Sequence, residues 1–154
     1  MIDINWWQET YTWITDNLET LKQKENRLTI QINGDIEKVF KYSLESDNVP
    51  KFITSVRKEF PSDRPVKLGT HLRNVWVGST VWDTYEVIEF LPPKTFTLKK
   101  LNSDYYVKYT CTENENWTEF EYYEWSENGY LEDPMDKEAL ERLKQLIEGQ
   151  EDMY

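Results

Sequence analysis

His71 and Cys111 are the only histidine and the only cysteine in a chain of 154 residues. They cannot make a zinc set, which needs three or four such ligands. A Ser-His-Asp arrangement would have to use His71, and no Gly-x-Ser-x-Gly elbow accompanies it. The five glycines are scattered singly, so no phosphate-cradling loop is present. No metal and no cofactor is expected. Two charged side chains could still act on a ligand. Glu86 would serve as a general base if burial raised its pKa. Arg73, close to His71, could orient an acidic ligand. Each also reads as an ordinary solvated or paired surface residue, and His71 as a rim histidine.

The richer signal is aromatic: seven Trp, ten Tyr and six Phe. In the segment 104–112, Tyr105, Val107, Tyr109 and Cys111 alternate with Tyr106, Lys108, Thr110 and Thr112. That period of two marks a strand whose first set faces inward. In 94–102, Phe96 and Leu98 face inward and Thr95, Thr97 and Lys99 outward. In 116–126, Phe120 and Tyr122 are assigned inward, opposite the face of Glu119 and Glu121. The segment 80–90 stays undecided. Phe90 opposite Phe96 would turn Trp82, Thr84, Glu86, Ile88 and Phe90 inward. Glu89 opposite Phe96 would turn the other set inward. The inner face therefore carries tyrosine hydroxyls and a thiol among hydrocarbon. Buried hydroxyls need partners, which suits a cavity holding water or ligand. A closed core with hydroxyls at its edge fits the same pattern.

The elements that must position this face follow from periodicity. Trp7, Tyr11, Ile14, Leu18 and Leu21 predict a helix within 5–24, with a strand as the alternative. Leu28, Ile30 and Ile32 alternate in a strand from Asn26. Asn33-Gly34-Asp35 breaks it. Asp35 then caps a helix with Ile36, Val39, Phe40 and Leu44 on one face. Asp47 caps a second short helix through Val49, Phe52 and Ile53. "VRKEFPSDRPV" gives a short strand and a loop. Five strands, 70–77, 80–90, 94–102, 104–112 and 116–126, follow with short connections that demand an antiparallel meander. A long helix closes the order. Asp133 is its expected N-cap, Pro134 its first residue and Gly149 its end. Leu140 and Leu143 lie on its apolar stripe. Strands in a block with a covering helix give an α+β class.

Charge bounds the partners. The net is −11 overall. Residues 119–154 hold twelve acids and three bases, a net of −9. Such a surface repels phosphate backbones and anionic membranes, so nucleic-acid binding is not expected. It also reads as a solubilising face or as a dock for a basic partner. No segment approaches the roughly 20 apolar residues that span a bilayer. The N-terminus lacks a secretory pattern, and one cysteine fits a reducing compartment. A cytoplasmic location is expected.

The element order resembles the START-like (SRPBCC) superfamily of birch-pollen allergens and polyketide cyclases. The carriers are the first strand with "DIEKVFKYSLESDNVPKFI", Gly69 before a strand, "YEVIEFLPPKTFTL", "WTEFEYYEW" and the final helix. They run from about Asn26 to Gln150, with 1–25 as an N-terminal extension to a single domain of 1–154. The resemblance implies a helix-grip fold, in which a curved antiparallel sheet wraps the C-terminal helix. It also implies a cavity for a small apolar or aromatic molecule. The expected ligand-binding residues are Phe96, Leu98, Tyr105, Val107, Tyr109, Cys111, Phe120, Tyr122, Leu140 and Leu143. No shared catalytic residue carries over. Three functions remain open: a small-molecule carrier, a cyclase- or dehydratase-like enzyme using a Tyr, His71 or Glu86, and a co-chaperone-like interaction module. A homodimer through the N-terminal segment is a further expectation.

Overall fold

The computed structural model describes residues 22–151. The helix expected within 5–24, and the dimer contact assigned to it, lie almost wholly outside the described residues. Residues 22–24 are not helical, and β1 (Glu25–Ile32) begins directly after them.

Two short helices follow, α1 (Ile36–Leu44) and α2 (Val49–Phe52). Then come β2 (Val56–Pro61), β3 (His71–Trp76), β4 (Trp82–Leu91), β5 (Thr95–Lys100), β6 (Tyr105–Glu113) and β7 (Thr118–Ser126). The closing helix α3 spans Lys137–Glu151. The strands form one antiparallel sheet in the order β1-β7-β6-β5-β4-β3-β2. The run from β2 to β7 is thus a meander, and β1 returns to close its far side against β7. The sheet curls around α3, and the class is α+β as expected. Gly69, at φ 88°, makes the turn into β3, a backbone conformation only glycine adopts at little cost.

Asp35 caps α1 as expected, accepting the Lys38 N–H at 2.9 Å. Two other expected caps do not form. Asn48 holds the N-cap position of α2, and Asp47 instead meets Arg64 at 3.3 Å. Likewise α3 starts at Lys137, and Asp136 rather than Asp133 accepts a first-turn N–H, that of Ala139, at 2.9 Å. One residue before Asp136 lies Met135. The Met135 N–H there donates to the Glu124 carboxylate at 2.7 Å, which ties the segment before α3 to β7. Gly149 does not end α3. A glycine costs a helix about 1 kcal/mol but does not by itself terminate it, and the fully buried Ile147 anchors the last turns.

The undecided strand resolves through a β-bulge. In β4, Val87 pairs with Leu98 and Glu89 with Thr97, leaving Ile88 as the extra residue. Tyr85 and Val87 are buried, and beyond the bulge Phe90 pairs with Phe96 and packs on the core. Neither alternating set is inward as a whole, because the bulge shifts the phase by one. A second shift, between Val56 and Lys58 in β2, buries both Val56 and Glu59.

On the concave side α1 packs on β6 and β7, and α3 lies against β1 and α1. Phe40 lies edge-on to Phe96 at 5.5 Å between ring centroids, and Tyr109 packs on Phe120 at 5.3 Å. On the convex side Tyr106, Trp125 and Tyr123 stack in a row, with the Arg27 guanidinium 4.0 Å from the Tyr123 ring.

Candidate functional site

The concave face does not fill with side chains at the end nearer the β5–β6 turn. A cavity of about 340 Å³ remains there, between the sheet, α2 with the segment after it, and the loop leading into α3. Its size falls near the lower end of the range for small-molecule sites, roughly 300–1,000 Å³. Thr54, Ser55, Tyr130, Glu132 and Asp133 stand at its mouth.

Six of the ten residues expected to bind ligand line this cavity: Phe96, Leu98, Tyr105, Val107, Tyr109 and Tyr122. The other four do not line it. Cys111 and Phe120 lie further along their strands, and Leu140 and Leu143 sit on α3. All four pack into the core. Burial pushes the Cys111 thiol up to about 12, so it stays neutral and unreactive. His71, Arg73 and Glu86 are on the convex face. His71 pairs in register with Glu86, and the Arg73 guanidinium lies over Trp82 at 5.4 Å. None of these three lines the cavity.

Two carboxylates that the alternation analysis did not assign to the site define its polar end. Glu124 is 1% exposed and fully engaged. Its Oε1 accepts from the Tyr105 hydroxyl at 2.7 Å. Its Oε2 accepts from Asn26 Nδ2 at 3.0 Å and from the Met135 N–H at 2.7 Å. The Tyr122 hydroxyl lies beside that of Tyr105. Burial, and then nearby negative charge, raises Tyr85, Tyr105, Tyr109 and Tyr122 well above the ordinary tyrosine value. Their hydroxyls therefore remain neutral.

Glu59 is the opposite case. It is 7% exposed, and its Oε2 has no hydrogen-bond partner. Facing it across the β2–β3 pair is Asn74, whose Oδ1 is also buried without a partner. Loss of hydration pushes the Glu59 carboxyl up to about 7, against the opposing pull of Ser46 and Asn74 beside it. Both Glu59 and Asn74 line the cavity. Two cationic side chains also reach it, and each is held. Lys100 Nζ is 3.6 Å from Asp83, while Arg142 Nε donates to the Phe52 carbonyl at 3.0 Å. No group of three or more metal-ligating side chains occurs among the described residues. No helix among them is long and apolar enough to cross a membrane.

A curled antiparallel sheet, a pair of short helices after its first strand and a long C-terminal helix against its concave face recur in solved structures. The dimeric Aha1 from Colwellia psychrerythraea matches 80% of this chain and 96% of its own, at TM-score 0.59 and 17% identity. This is the helix-grip fold. CalU16 from Micromonospora echinospora shares it over 83% of this chain and 81% of its own, at TM-score 0.57 and 11% identity. DynU16, a protein of the dynemicin biosynthetic locus, shares it at TM-score 0.59 and 15% identity, over 83% of this chain and 48% of its own. No protein-family profile and no curated protein sequence matches the chain. At these identities the helix grip is common ground and the chemistry is not.

Proposed function

We propose that this helix-grip protein binds or carries a small molecule with an apolar or aromatic body in the cavity above α2. The observation that carries the reading is an internal space of about 340 Å³ walled by Phe96, Leu98 and Val107 and ending in buried polar atoms without partners. A protein interior seldom leaves such atoms unmet, and a bound molecule would meet them. The lone buried Cys111 fits a cytoplasmic carrier. Native mass spectrometry of the freshly purified protein tests this directly. A mass excess that vanishes on denaturation is the expected result. Equal native and denatured masses, together with no saturable binding across an apolar panel, would sink the reading. Leu98→Trp should fill part of the space and weaken binding by roughly tenfold or more, since a cavity wall that grows inward costs about 1–3 kcal/mol.

A second reading is supported by Glu59. A carboxyl near 7 in a cavity with neutral tyrosine hydroxyls has the poise of a general acid–base. The corresponding function is a cyclase- or dehydratase-like enzyme, with Glu59 moving the proton in place of His71 or Glu86. Glu59→Gln should then lower turnover by about 10²–10⁴-fold while the bound-state mass excess persists. Unchanged turnover in that variant would remove Glu59 from the chemistry.

A further inference from the structure

Three buried polar atoms among the described residues lack a partner: the Ser46 hydroxyl, which lies beside Glu59 but does not line the cavity, and two atoms that do line it. Glu59 Oε2 and Asn74 Oδ1 are both acceptors, both on residues 7% exposed, and both on neighbouring strands that pair residue to residue. With Glu59 ionised, a molecule that satisfies both must bring hydrogen-bond donors. A carboxylate or phosphate brings none, and it would meet Glu59 and Glu124 as like charges. The cations that could favour an acid are already engaged, Lys100 with Asp83 and Arg142 with the Phe52 carbonyl and Asp136. The other groups on the wall do not supply a countercharge for Glu59. Tyr85 on β4, Tyr105 and Tyr109 on β6 and Tyr122 on β7 are neutral, and Glu124 is saturated by its own donors. The mouth adds Asp104, Glu132, Asp133 and Asp136, a field that concentrates cations.

Resting on the cavity reading above, we infer that the site takes an amphipathic amine, a compact apolar or aromatic body bearing a protonated amino group that donates to Glu59 and Asn74. The body lies along Phe96, Leu98 and Val107, and the ammonium supplies the charge that lets Glu59 ionise inside the protein.

Three probes with one body separate the possibilities: naphthylmethylamine, naphthalenemethanol and naphthoate, titrated calorimetrically into the full chain. The amine should bind at least roughly tenfold tighter than the alcohol, as expected for a charge-assisted bond replacing a neutral one, and naphthoate weakest. Glu59→Gln should bring amine and alcohol to within about twofold, and Asn74→Leu should also shrink the gap. In the unmodified protein the amine's advantage should fade as pH drops through about 7, where Glu59 takes up a proton while the amine stays charged. That arm needs no variant to fold. Equal affinities for amine and alcohol, or a preference that survives Glu59→Gln, would overturn the amine inference and leave the cavity reading standing. If none of the three binds but native mass spectrometry finds another molecule, the amine inference falls alone. If neither binds nor is found, both fall.

Discussion

Glu59→Gln is expected to abolish a loss of stability that the unmodified protein suffers between acid and neutral pH. The Glu59 carboxyl is raised by burial from 4.5 to about 7. Below 4.5 it is protonated in both folded and unfolded chains and contributes no slope. Between 4.5 and about 7 the folded chain keeps its proton while the unfolded chain has released it. The folded state then binds more protons, so stability falls as pH rises. Above about 7 both are ionised and the loss is complete. At about 1.4 kcal/mol for each unit of displacement, the loss is about 3 kcal/mol. Glu89, Asp104 and Glu148 are lowered instead. Their contributions are present above the ordinary carboxylate range and lost only as pH falls, so they act on the acid side of this window. Urea unfolding over a pH series should show the unmodified protein losing ground to Glu59→Gln across the window and running parallel to it outside. Curves parallel throughout would mean that Glu59 is hydrated or paired, and would weaken its role in the cavity.

The second large effect has the opposite sign. Glu124→Ala should destabilise the protein by about 3–5 kcal/mol, because three donors lose their acceptor at once. They are the Tyr105 hydroxyl, Asn26 Nδ2 and the Met135 N–H, on β6, β1 and the loop before α3. One carboxylate thus ties together three segments that are far apart in the chain. Glu124→Gln keeps an acceptor for the tyrosine but turns an amide NH2 toward Asn26 Nδ2 and the Met135 N–H, so it should cost only somewhat less, about 2–4 kcal/mol. Chemical denaturation of the two variants side by side is the check. A loss below about 1 kcal/mol for alanine would mean that water from the cavity replaces the carboxylate freely. The two acids line the same cavity, and the contrast between them separates a structural carboxylate from one left open to a ligand.

The sheet was legible because its inner strands alternate cleanly. In β6 the set Tyr105, Val107, Tyr109 and Cys111 faces inward, and Phe120 and Tyr122 continue that face onto β7. Glu124 lies two residues after Tyr122 and in the same phase. Alternation alone places it inside, although its charge argues for the surface. The second acid was hidden by geometry. "VRKEFP" has no simple alternation because of the register shift between Val56 and Lys58, and that shift is what turns Glu59 inward. Cys111, Phe120, Leu140 and Leu143 were correctly read as apolar inner-face or helix-stripe positions. How far along the sheet the core closes depends on where α1 and α3 lie, and strand periodicity carries no information about that. The start of α3 falls after Asp136, which accepts the Ala139 N–H, and the Asp133-Pro134 segment before it is tied to β7 by the tertiary bond from the Met135 N–H to Glu124.

The bulge in β4 also governs what the chain can tolerate in length. Ile88 is 41% exposed and stands between two stretches that are each in regular alternation. Removing it would join Val87 to Glu89 and leave Tyr85, Val87 and Phe90 on the face they already occupy. Removing any residue well inside either stretch would invert the faces of everything between it and the bulge. Loss of one residue at this site is therefore silent to the inner face, and the strand can shorten there while Tyr85 keeps its place on the cavity wall.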